Sequence, residues 1–230
     1  EAINFVELLR FKGGDGELVD IHSHIIFGVD DGARDVRETT NMLIAAKQAG
    51  VTQIVATPHA RVETFDRNKV IENYLVARTI ADEKGINLKL GCEVHWNYAL
   101  MLSQDRFLDY CTKNTNKMLI EFSILDEELP QNHDSMIYRL QRAGIEIIIA
   151  HPERYRFLQK DFSCIYRWMD LGCKLQLDAN FLIRGSEPRI KSTARKLYKL
   201  GCYDYVASDA HCVDDYTVFE ETIKWIKRNS

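Results

Sequence analysis

The sequence has neither a run of basic residues nor a long apolar segment. Among its 230 residues, 30 Lys and Arg stand against 34 Asp and Glu, which gives a formal net charge of −4. Nucleic-acid binding depends on clustered cations that neutralise phosphates, so we expect no nucleic-acid partner. No apolar stretch approaches the roughly 20 residues of a membrane-spanning helix, so we expect no membrane insertion.

The six cysteines form no C-x-x-C pair, which excludes a zinc finger and a thioredoxin-like motif. None is followed by arginine six residues later, which excludes the C-x5-R motif of phosphatases with a cysteine nucleophile. Dispersed thiols and the absence of a signal peptide predict reduced cysteines in a cytoplasmic protein. The six are Cys92, Cys111, Cys164, Cys173, Cys202 and Cys212.

What the chain does contain is an alternation of strand-like and helix-like segments. Seven apolar runs without polar alternation predict parallel strands that are covered on both faces, and five of the helices between them end at a glycine. We expect a single domain, 1–230, in which residues 1–17 form an extension with a helix and a glycine-rich turn. The strands are predicted at 18–21, 53–57, 88–92, 118–122, 146–150, 174–177 and 205–207, and the helices at 36–49, 68–84, 98–103, 135–143, 162–171, 190–200 and 217–227.

Metal-competent side chains follow every predicted strand. The first strand runs into V-D-I-H-S-H at 19–24, and the last runs into A-S-D-A-H at 207–211. An open sheet gathers ligands at a few strand ends, whereas a closed barrel brings all strand ends to one mouth. We therefore predict a closed α/β barrel with a metal site at the carboxyl ends of its strands. The candidate ligands are His22, His24, Asp31, His59, Glu93, Glu121, His151, Asp209 and His211.

These candidate ligands are imidazoles and carboxylates, without thiolate. Such donors favour borderline or hard divalent ions, namely Mn, Fe, Zn or Co. Nine donors exceed what one ion needs and indicate two or three ions. Three dications would leave positive charge after the four acids are counted, and that charge suits a dianionic phosphate ester with a hydroxide.

The motifs around these residues resemble those of the PHP (polymerase and histidinol phosphatase) superfamily. The matching segments are D-I-H-S-H, A-T-P-H, G-C-E, I-E-F-S, A-H-P-E-R and A-S-D-A-H, and they span nearly the whole chain. Within the superfamily, G-V-D-D-G, T-P-H, E-F-S and A-H-P-E-R-Y resemble the bacterial manganese-dependent protein-tyrosine phosphatases that act with tyrosine kinases of capsule and exopolysaccharide export. The resemblance implies a distorted (β/α)7 barrel and favours Mn²⁺, with Fe, Zn, Co or Mg as alternatives.

The resemblance also implies how the ligands divide among three ions. The first ion would be held by His22, His24, Glu93 and Asp209, the second by Glu93 as a bridge with Glu121 and His151, and the third by Asp31, His59 and His211.

We predict that the protein hydrolyses phosphotyrosine in a bacterial tyrosine kinase of polysaccharide export, by means of a metal-bridging hydroxide. Arg154 follows His151 by three residues and is expected to be catalytic and to bind substrate, because a planar guanidinium suits bidentate phosphate binding. Arg61 is the second substrate-binding candidate, and Asp31 is the second catalytic candidate.

Three other functions stay open at this stage. A small-molecule phosphatase of the histidinol-phosphate type would share the metals and differ in pocket shape. An amidohydrolase also opens with H-x-H but usually supplies a strand-end lysine, which no predicted strand has, and a non-catalytic PHP scaffold typically loses ligands that are kept here. Four further residues are expected to play only supporting or surface roles: His95, His133, Asp178 and Asn180.

Overall fold

The computed structural model describes residues 17–185 and 187–229. The helix and turn predicted near the start of the chain lie outside these residues. The strands are β1 (Leu18–Ser23), β2 (Val51–Ala56), β3 (His59–Ala60), β4 (Asn87–Leu90), β5 (Glu93–His95), β6 (Lys117–Glu121), β7 (Glu146–Ile149), β8 (Lys174–Asp178) and β9 (Tyr205–Ala207). The helices are α1 (Val36–Gln48), α2 (Arg67–Glu83), α3 (Trp96–Met101), α4 (His133–Arg142), α5 (Arg156–Lys160), α6 (Ser163–Asp170), α7 (Ala179–Leu182), α8 (Pro188–Lys199) and α9 (Val213–Asn229), with 3-10 helices at Gln104–Asp109 and Pro152–Arg154.

The strands are all parallel and form two hydrogen-bonded sheets that curl around one axis. β1, β2 and β4 are hydrogen-bonded neighbours, and the remaining strands follow as β3, β5, β6, β7, β8 and β9. The two edges meet at their carboxyl ends, where Ser23 bridges to Ala210 and the amide of His24 donates to the carbonyl of Ala210 at 2.9 Å. Seven strand positions thus surround one axis, and the predicted distorted barrel with its mouth at the carboxyl ends of the strands is confirmed.

Two strand positions of the barrel each consist of two segments, β2 with β3 and β4 with β5, and β3 and β5 lie beyond the strands predicted at 53–57 and 88–92. Pro58 lies at the first break and has no N–H to donate, although its carbonyl accepts from the amide of Glu93 at 3.2 Å. Gly91 lies at the second break, where a Cβ atom would come within 3.1 Å of Val55 Cγ1. The chain therefore shifts just before His59 and Glu93, and both side chains enter the mouth from the shifted segments.

The helices end where the glycines predict. Gly50 and Gly144 follow α1 and α4 at φ 86° and 78°, a left-handed conformation that costs glycine little. The short elements were not predicted, since α5, α7 and the 3-10 helix Pro152–Arg154 are too brief to show a period. The predicted helix at 162–171 corresponds to α6 alone.

The main hydrophobic core lies between the sheet and the helices, and the barrel interior is only thinly packed. A separate small cluster of Leu119, Ile148 and Ala150 fills the barrel centre. Below it lies a cavity of about 200 Å³ lined by residues such as Val19 and Val55. Above it the interior is polar and forms the mouth. Among the described residues, no helix is long and apolar enough to cross a bilayer.

Candidate metal centre

The carboxyl ends of the strands bring all nine predicted ligands to one mouth. β1, β3, β5 and β6 themselves carry or directly precede five of them, and loops after β1, β7 and β9 supply the others. Their donor atoms form four overlapping groups, each with all its atoms within 4.8 Å of one another. The groups are His24, Asp31, His59 and His211; His22, His24 and Asp209; His22, Glu93 and His151; and His59, Glu93 and Glu121.

His22 in β1 and His24 just after it point their Nε2 atoms at each other. Gln176 Oε1 lies 3.0 Å from His22 Nδ1, and Asp30 Oδ2 lies 2.8 Å from His24 Nδ1, so both Nδ1 atoms act as donors. In the neutral rings the two Nε2 atoms would then carry lone pairs only 3.2 Å apart, and Asp209 Oδ1 lies 3.1 and 3.3 Å from them. Such a set of acceptors is stable only around a positive charge. A shared divalent cation fits it.

Glu93 lies at the centre of the cluster and is fully buried. Its Oε1 is 2.8 Å from His151 Nε2. Its Oε2 makes no hydrogen bond of acceptable geometry, although His59 Nδ1 lies 2.8 Å away and the Nε2 atoms of His22 and His24 lie 3.4 Å away. An unpaired buried carboxylate oxygen is costly. Here it faces three imidazoles, as a bridging ligand would.

A third group lies nearer the solvent. Asp31 Oδ1 is 3.3 Å from His59 Nε2 and 3.5 Å from His211 Nε2. His211 Nδ1 lies 2.8 Å from the carbonyl oxygen of Asp209, which makes Nδ1 the donor and leaves Nε2 free for an ion. The ring of His211 stacks on that of His24 at 4.1 Å, so this group is continuous with the buried ones.

The geometry differs from the implied division of ligands at Glu121. The close groups among the described residues place Glu121 with His59 and Glu93 and not with His151. Strand register alone does not account for this, because His59 pairs with Glu93, whereas Glu121 pairs with His95, two residues farther along β5.

Without metal, the carboxylates of the cluster raise the pKa of two of its histidines, so that these side chains hold protons. Burial by itself disfavours the imidazolium of His22, but Asp209 and Glu93 raise its pKa to about 9. Burial likewise opposes the charge on His59, yet Glu93, Asp31 and Glu121 raise its pKa to about 11. Burial would raise the pKa of Glu93, but the nearby His22 and His59 hold it well below its usual range. Divalent ions would take the place of these protons.

Two predicted ligands have backbone conformations that are rare outside glycine. His151 has φ 28° and Asp209 has φ 48°, and each lies two residues after the end of a strand. A residue with positive φ costs of order 1 kcal/mol or more, and such costs concentrate at functional sites. The strain turns both side chains into the mouth, which a regular strand end would not do.

The two predicted arginines lie at the rim and are bound to ligand carboxylates. Arg154 Nη1 donates to Asp209 Oδ2 at 2.7 Å, and its guanidinium lies over the ring of Phe181. Arg61 Nε donates to Glu121 Oε1 at 2.9 Å. The guanidinium of each thus lies beside the cluster and lines the cleft.

Several buried polar residues behind the ligands were missed by the sequence reasoning. Gln176 donates through Nε2 to the carbonyl of Leu177, which fixes its oxygen towards His22. Asp30 orients His24, although only its neighbour Asp31 was selected. Gln176 is a polar residue inside the apolar run K-L-Q-L-D, and this exception could have indicated from the sequence that its side chain has a polar partner in the barrel.

The four residues expected to play only supporting or surface roles lie in different parts of the structure. Asp178 is buried, accepts from the amide of Asn180 at 2.8 Å and lies 3.9 Å from Arg154, as expected for a rim hydrogen-bonding role. His133 contacts the carbonyl of Pro130. His95 lines the same cleft as the ligands.

The cluster forms the floor of an open cleft of about 610 Å³. Arg154 lines the cleft beside the cluster. Three apolar side chains, Val62, Ile124 and Leu125, also line the cleft, and all three are exposed; they are called the apolar wall. The cleft can therefore hold an anion against the cluster and an apolar group against the apolar wall.

A distorted parallel barrel with this cluster at its mouth defines the class of protein as a PHP-type metal-dependent hydrolase. The sequence profile of the family "Capsular polysaccharide synthesis, CpsB/CapC" matches residues 18–229, and the chain belongs to that family.

The relatives are named as tyrosine phosphatases. The tyrosine-protein phosphatase CpsB of Streptococcus pneumoniae is 31% identical over 209 residues, which covers 86% of this chain and 84% of that protein. The tyrosine-protein phosphatase YwqE of Bacillus subtilis is 28% identical over 202 residues, covering 85% and 78%. A crystal structure from work on YwqE and CpsB, described there as unique metal-dependent tyrosine phosphatases, has a TM-score of 0.78 at 25% identity and covers 93% of this chain and 87% of that chain.

Proposed function

We propose that this protein is a metal-dependent protein-tyrosine phosphatase of capsular polysaccharide synthesis. Its relatives carry that activity in their names, and all nine candidate ligands converge on one cleft. The observation that carries the proposal is the juxtaposition of this cluster with an apolar wall. A phosphotyrosine side chain has the matching chemistry, since a dianionic phosphate is joined to an apolar ring.

The ligand set favours Mn²⁺ in two or three sites, formed by the nine residues in their overlapping groups. Bound divalent ions would supply Lewis-acid catalysis and a nucleophilic water at neutral pH. Iron, zinc, cobalt and magnesium are compatible with the same imidazole and carboxylate donors, so the choice of Mn²⁺ rests on the family resemblance.

The chain's own cations bind and orient the phosphate. Arg154 is partly buried and fixed between Asp209 and the ring of Phe181, so its guanidinium is held facing the cleft. Two parallel N–H groups of a guanidinium match two phosphoryl oxygens, and charge that develops on those oxygens strengthens the contact. Arg61 is more exposed and binds Glu121 from the other side. It is the second phosphate-binding residue.

The apolar wall selects an aromatic phosphate ester. Val62, Ile124 and Leu125 lie on loops and line the same cleft as the cluster, and exposed apolar side chains beside a charged site are otherwise unfavourable. A tyrosine ring against this wall would bury apolar surface on both partners. A phenolate is also a good leaving group, so the reaction depends less on a general acid.

The other candidate functions account for fewer of these observations. No lysine lines the cleft among the described residues, and an amidohydrolase of the expected kind would use one. The ligand set is complete, which a non-catalytic scaffold does not need. A small-molecule phosphatase remains the one alternative with the same metals, and substrate selectivity separates it.

The proposed protein substrate is a bacterial tyrosine kinase of polysaccharide export. The family's role in capsule synthesis and the relatives' names support a phosphotyrosine protein as the partner. We also propose a cytoplasmic location, in keeping with that partner. The six unpaired cysteines of the chain, five of them buried, are compatible with it.

The test compares substrates and one wall variant. The Mn²⁺-loaded protein should turn over a phosphotyrosine peptide with a higher kcat/KM than a phosphoserine peptide or histidinol phosphate. Leu125→Ser should lower kcat/KM for the phosphotyrosine peptide about tenfold, mainly through KM, because part of the ring contact is lost. Leu108→Ser is the matched control, since Leu108 is exposed to a similar extent (65% against 63%) and does not line the cleft. Faster turnover of histidinol phosphate than of the peptide would overturn the proposal.

A further inference from the structure

Helix α8 carries a stripe of cations along one face. The α8 stripe consists of Lys191, Arg195 and Lys199, which lie four residues apart along one side of the helix, and Lys196, which is next to Arg195 and three residues before Lys199. All but the half-buried Lys191 are exposed, and α8 contains no acidic residue. On a chain with a net charge of −4, this is a local concentration of positive charge.

The charges of the stripe are not neutralised within residues 17–185 and 187–229. None of the four forms an ion pair there, whereas other surface arginines and lysines do. Lys191 Nζ and Arg195 Nε donate to the backbone carbonyls of Ile183 and Leu182 at 2.7 and 3.1 Å. These contacts fix the cations in place and leave their charge available to an anionic partner.

The α8 stripe begins beside the metal cleft. α8 packs against the 3-10 helix Pro152–Arg154. The guanidinium of Arg154 lies 5.7 Å from the ring centroid of Phe181, and the carbonyl that Lys191 contacts belongs to Ile183, two residues farther along. Since α8 leads into the start of β9, the stripe runs from this packing contact along the outside of the barrel.

The surface along the stripe is an open groove of about 680 Å³, bounded by Pro188 and Leu200 at its ends. A helix of 12 residues is about 18 Å long, which matches about five or six residues of extended chain. Apolar residues at the ends and cations between them suit a peptide that is acidic along its length.

We propose that the α8 stripe binds an acidic segment of the phosphotyrosine protein, next to the tyrosine whose phosphate lies at the metal centre. The inference rests on the proposed function, and it adds that substrate flanks rich in Asp, Glu or further phosphotyrosine are recognised outside the cleft. The stripe raises the local concentration of such a substrate and does not take part in the chemistry.

The experiment removes three exposed charges of the stripe by Arg195→Gln, Lys196→Gln and Lys199→Gln. The matched control removes three cations at the opposite end of the barrel, by Lys84→Gln, Lys113→Gln and Lys227→Gln, none of which is ion-paired among the described residues. Both variants and the unaltered protein are loaded with Mn²⁺. Each is assayed on para-nitrophenyl phosphate and on two phosphotyrosine peptides, one with acidic flanks and one with neutral flanks.

The stripe variant should have a KM for the acidic peptide about tenfold higher, since three exposed contacts each contribute a factor of about two to three. Its turnover of para-nitrophenyl phosphate and of the neutral peptide should be unchanged, and the control variant should behave like the unaltered protein. The preference of the unaltered protein for acidic flanks should fall with added salt. Equal effects in the two variants, or no preference for acidic flanks, would overturn the inference.

Failure of the proposed function gives a different result. In that case the unaltered protein would hydrolyse none of the three substrates, and fluorescence anisotropy of the labelled acidic peptide would still report whether the stripe binds it. Binding of phosphatidylglycerol vesicles that depends on the stripe, without stripe-dependent binding of the peptide, would instead identify a membrane surface and contradict the inference.

Discussion

At the scale of single residues, the metal centre depends on side chains that hold the ligands as well as on the ligands themselves. Gln176 accepts from His22 Nδ1 at 3.0 Å and from the amide of His151 at 3.3 Å. It therefore controls which nitrogen of His22 faces the cluster and ties two strand ends together. The ligands could be found from sequence because they lie at or soon after the ends of apolar runs, whereas the role of Gln176 depends on contacts across the barrel.

Replacing Gln176 by Met should weaken metal binding about 10- to 100-fold, because His22 loses the acceptor that fixes its tautomer. Competition with a fluorescent chelator measures the affinity. Gln53→Met is the control, since Gln53 lies at the other end of the barrel and contacts Asn87. Unchanged affinity in Gln176→Met would show that Gln176 does not orient the ligand.

Protons should leave the cluster when metal binds. The pKa of His22 is raised from 6.5 to about 9, so the metal-free protein holds this proton at pH 7 and a divalent ion must displace it. Metal affinity should therefore increase as pH rises. Calorimetric titration of Mn²⁺ in two buffers of different ionisation enthalpy should detect about one proton or more released per protein. The absence of release would contradict the protonated state.

The same shift predicts how the metal-free protein responds to pH. A folded-state pKa above the unfolded one gives stability that is present in full below about pH 6.5 and is lost as pH rises through about 9. Urea unfolding should therefore show the metal-free protein becoming less stable over this window. The Mn²⁺-loaded protein should not show this loss, because the ion has replaced the proton.

At the scale of elements, the breaks in the sheet and the loop after β1 place the ligands. The seven strands could be predicted because their runs are mostly apolar and lack polar alternation, but the division of β2 from β3 could not, since T-P-H reads equally well as a strand end. The loop after β1 folds back so closely that a Cβ on Gly32 would lie 2.0 Å from the carbonyl oxygen of His24. Only glycine allows this approach, which brings Asp30 and Asp31 to the histidines.

Gly32→Ala should displace this loop and reduce both stability and metal affinity. The clash is with backbone and cannot be relieved by a side-chain rotation, so we expect a loss of about 1–3 kcal/mol or more in urea unfolding. Gly144→Ala is the control, because its Cβ would meet no atom within 4 Å and its cost of about 1–2 kcal/mol arises from φ 78° alone. Normal metal affinity in Gly32→Ala would show that the loop does not position Asp30 and Asp31.

At the scale of the whole molecule, the curled sheet concentrates one kind of chemistry at one end of the barrel. The carboxyl ends of the strands carry the imidazoles and carboxylates, while the other end holds a small cavity lined by both apolar and polar side chains. The convergence could be predicted because only a barrel brings every strand end together. The grouping of Glu121 with His59 and the positive φ angles of His151 and Asp209 could not, since no apolar pattern in the sequence encodes them.

The central claim is that the cluster at the barrel mouth binds the divalent ions on which phosphotyrosine hydrolysis depends. The most direct measurement is turnover of a phosphotyrosine peptide by protein stripped with a chelator and then titrated with Mn²⁺, alongside His24→Ala and Glu93→Ala. Activity should be lost on stripping and restored by Mn²⁺ in the unaltered protein, and it should stay absent in both variants although their circular dichroism spectra remain close to that of the unaltered protein. Turnover that resists the chelator, or that persists in either variant, would contradict the claim.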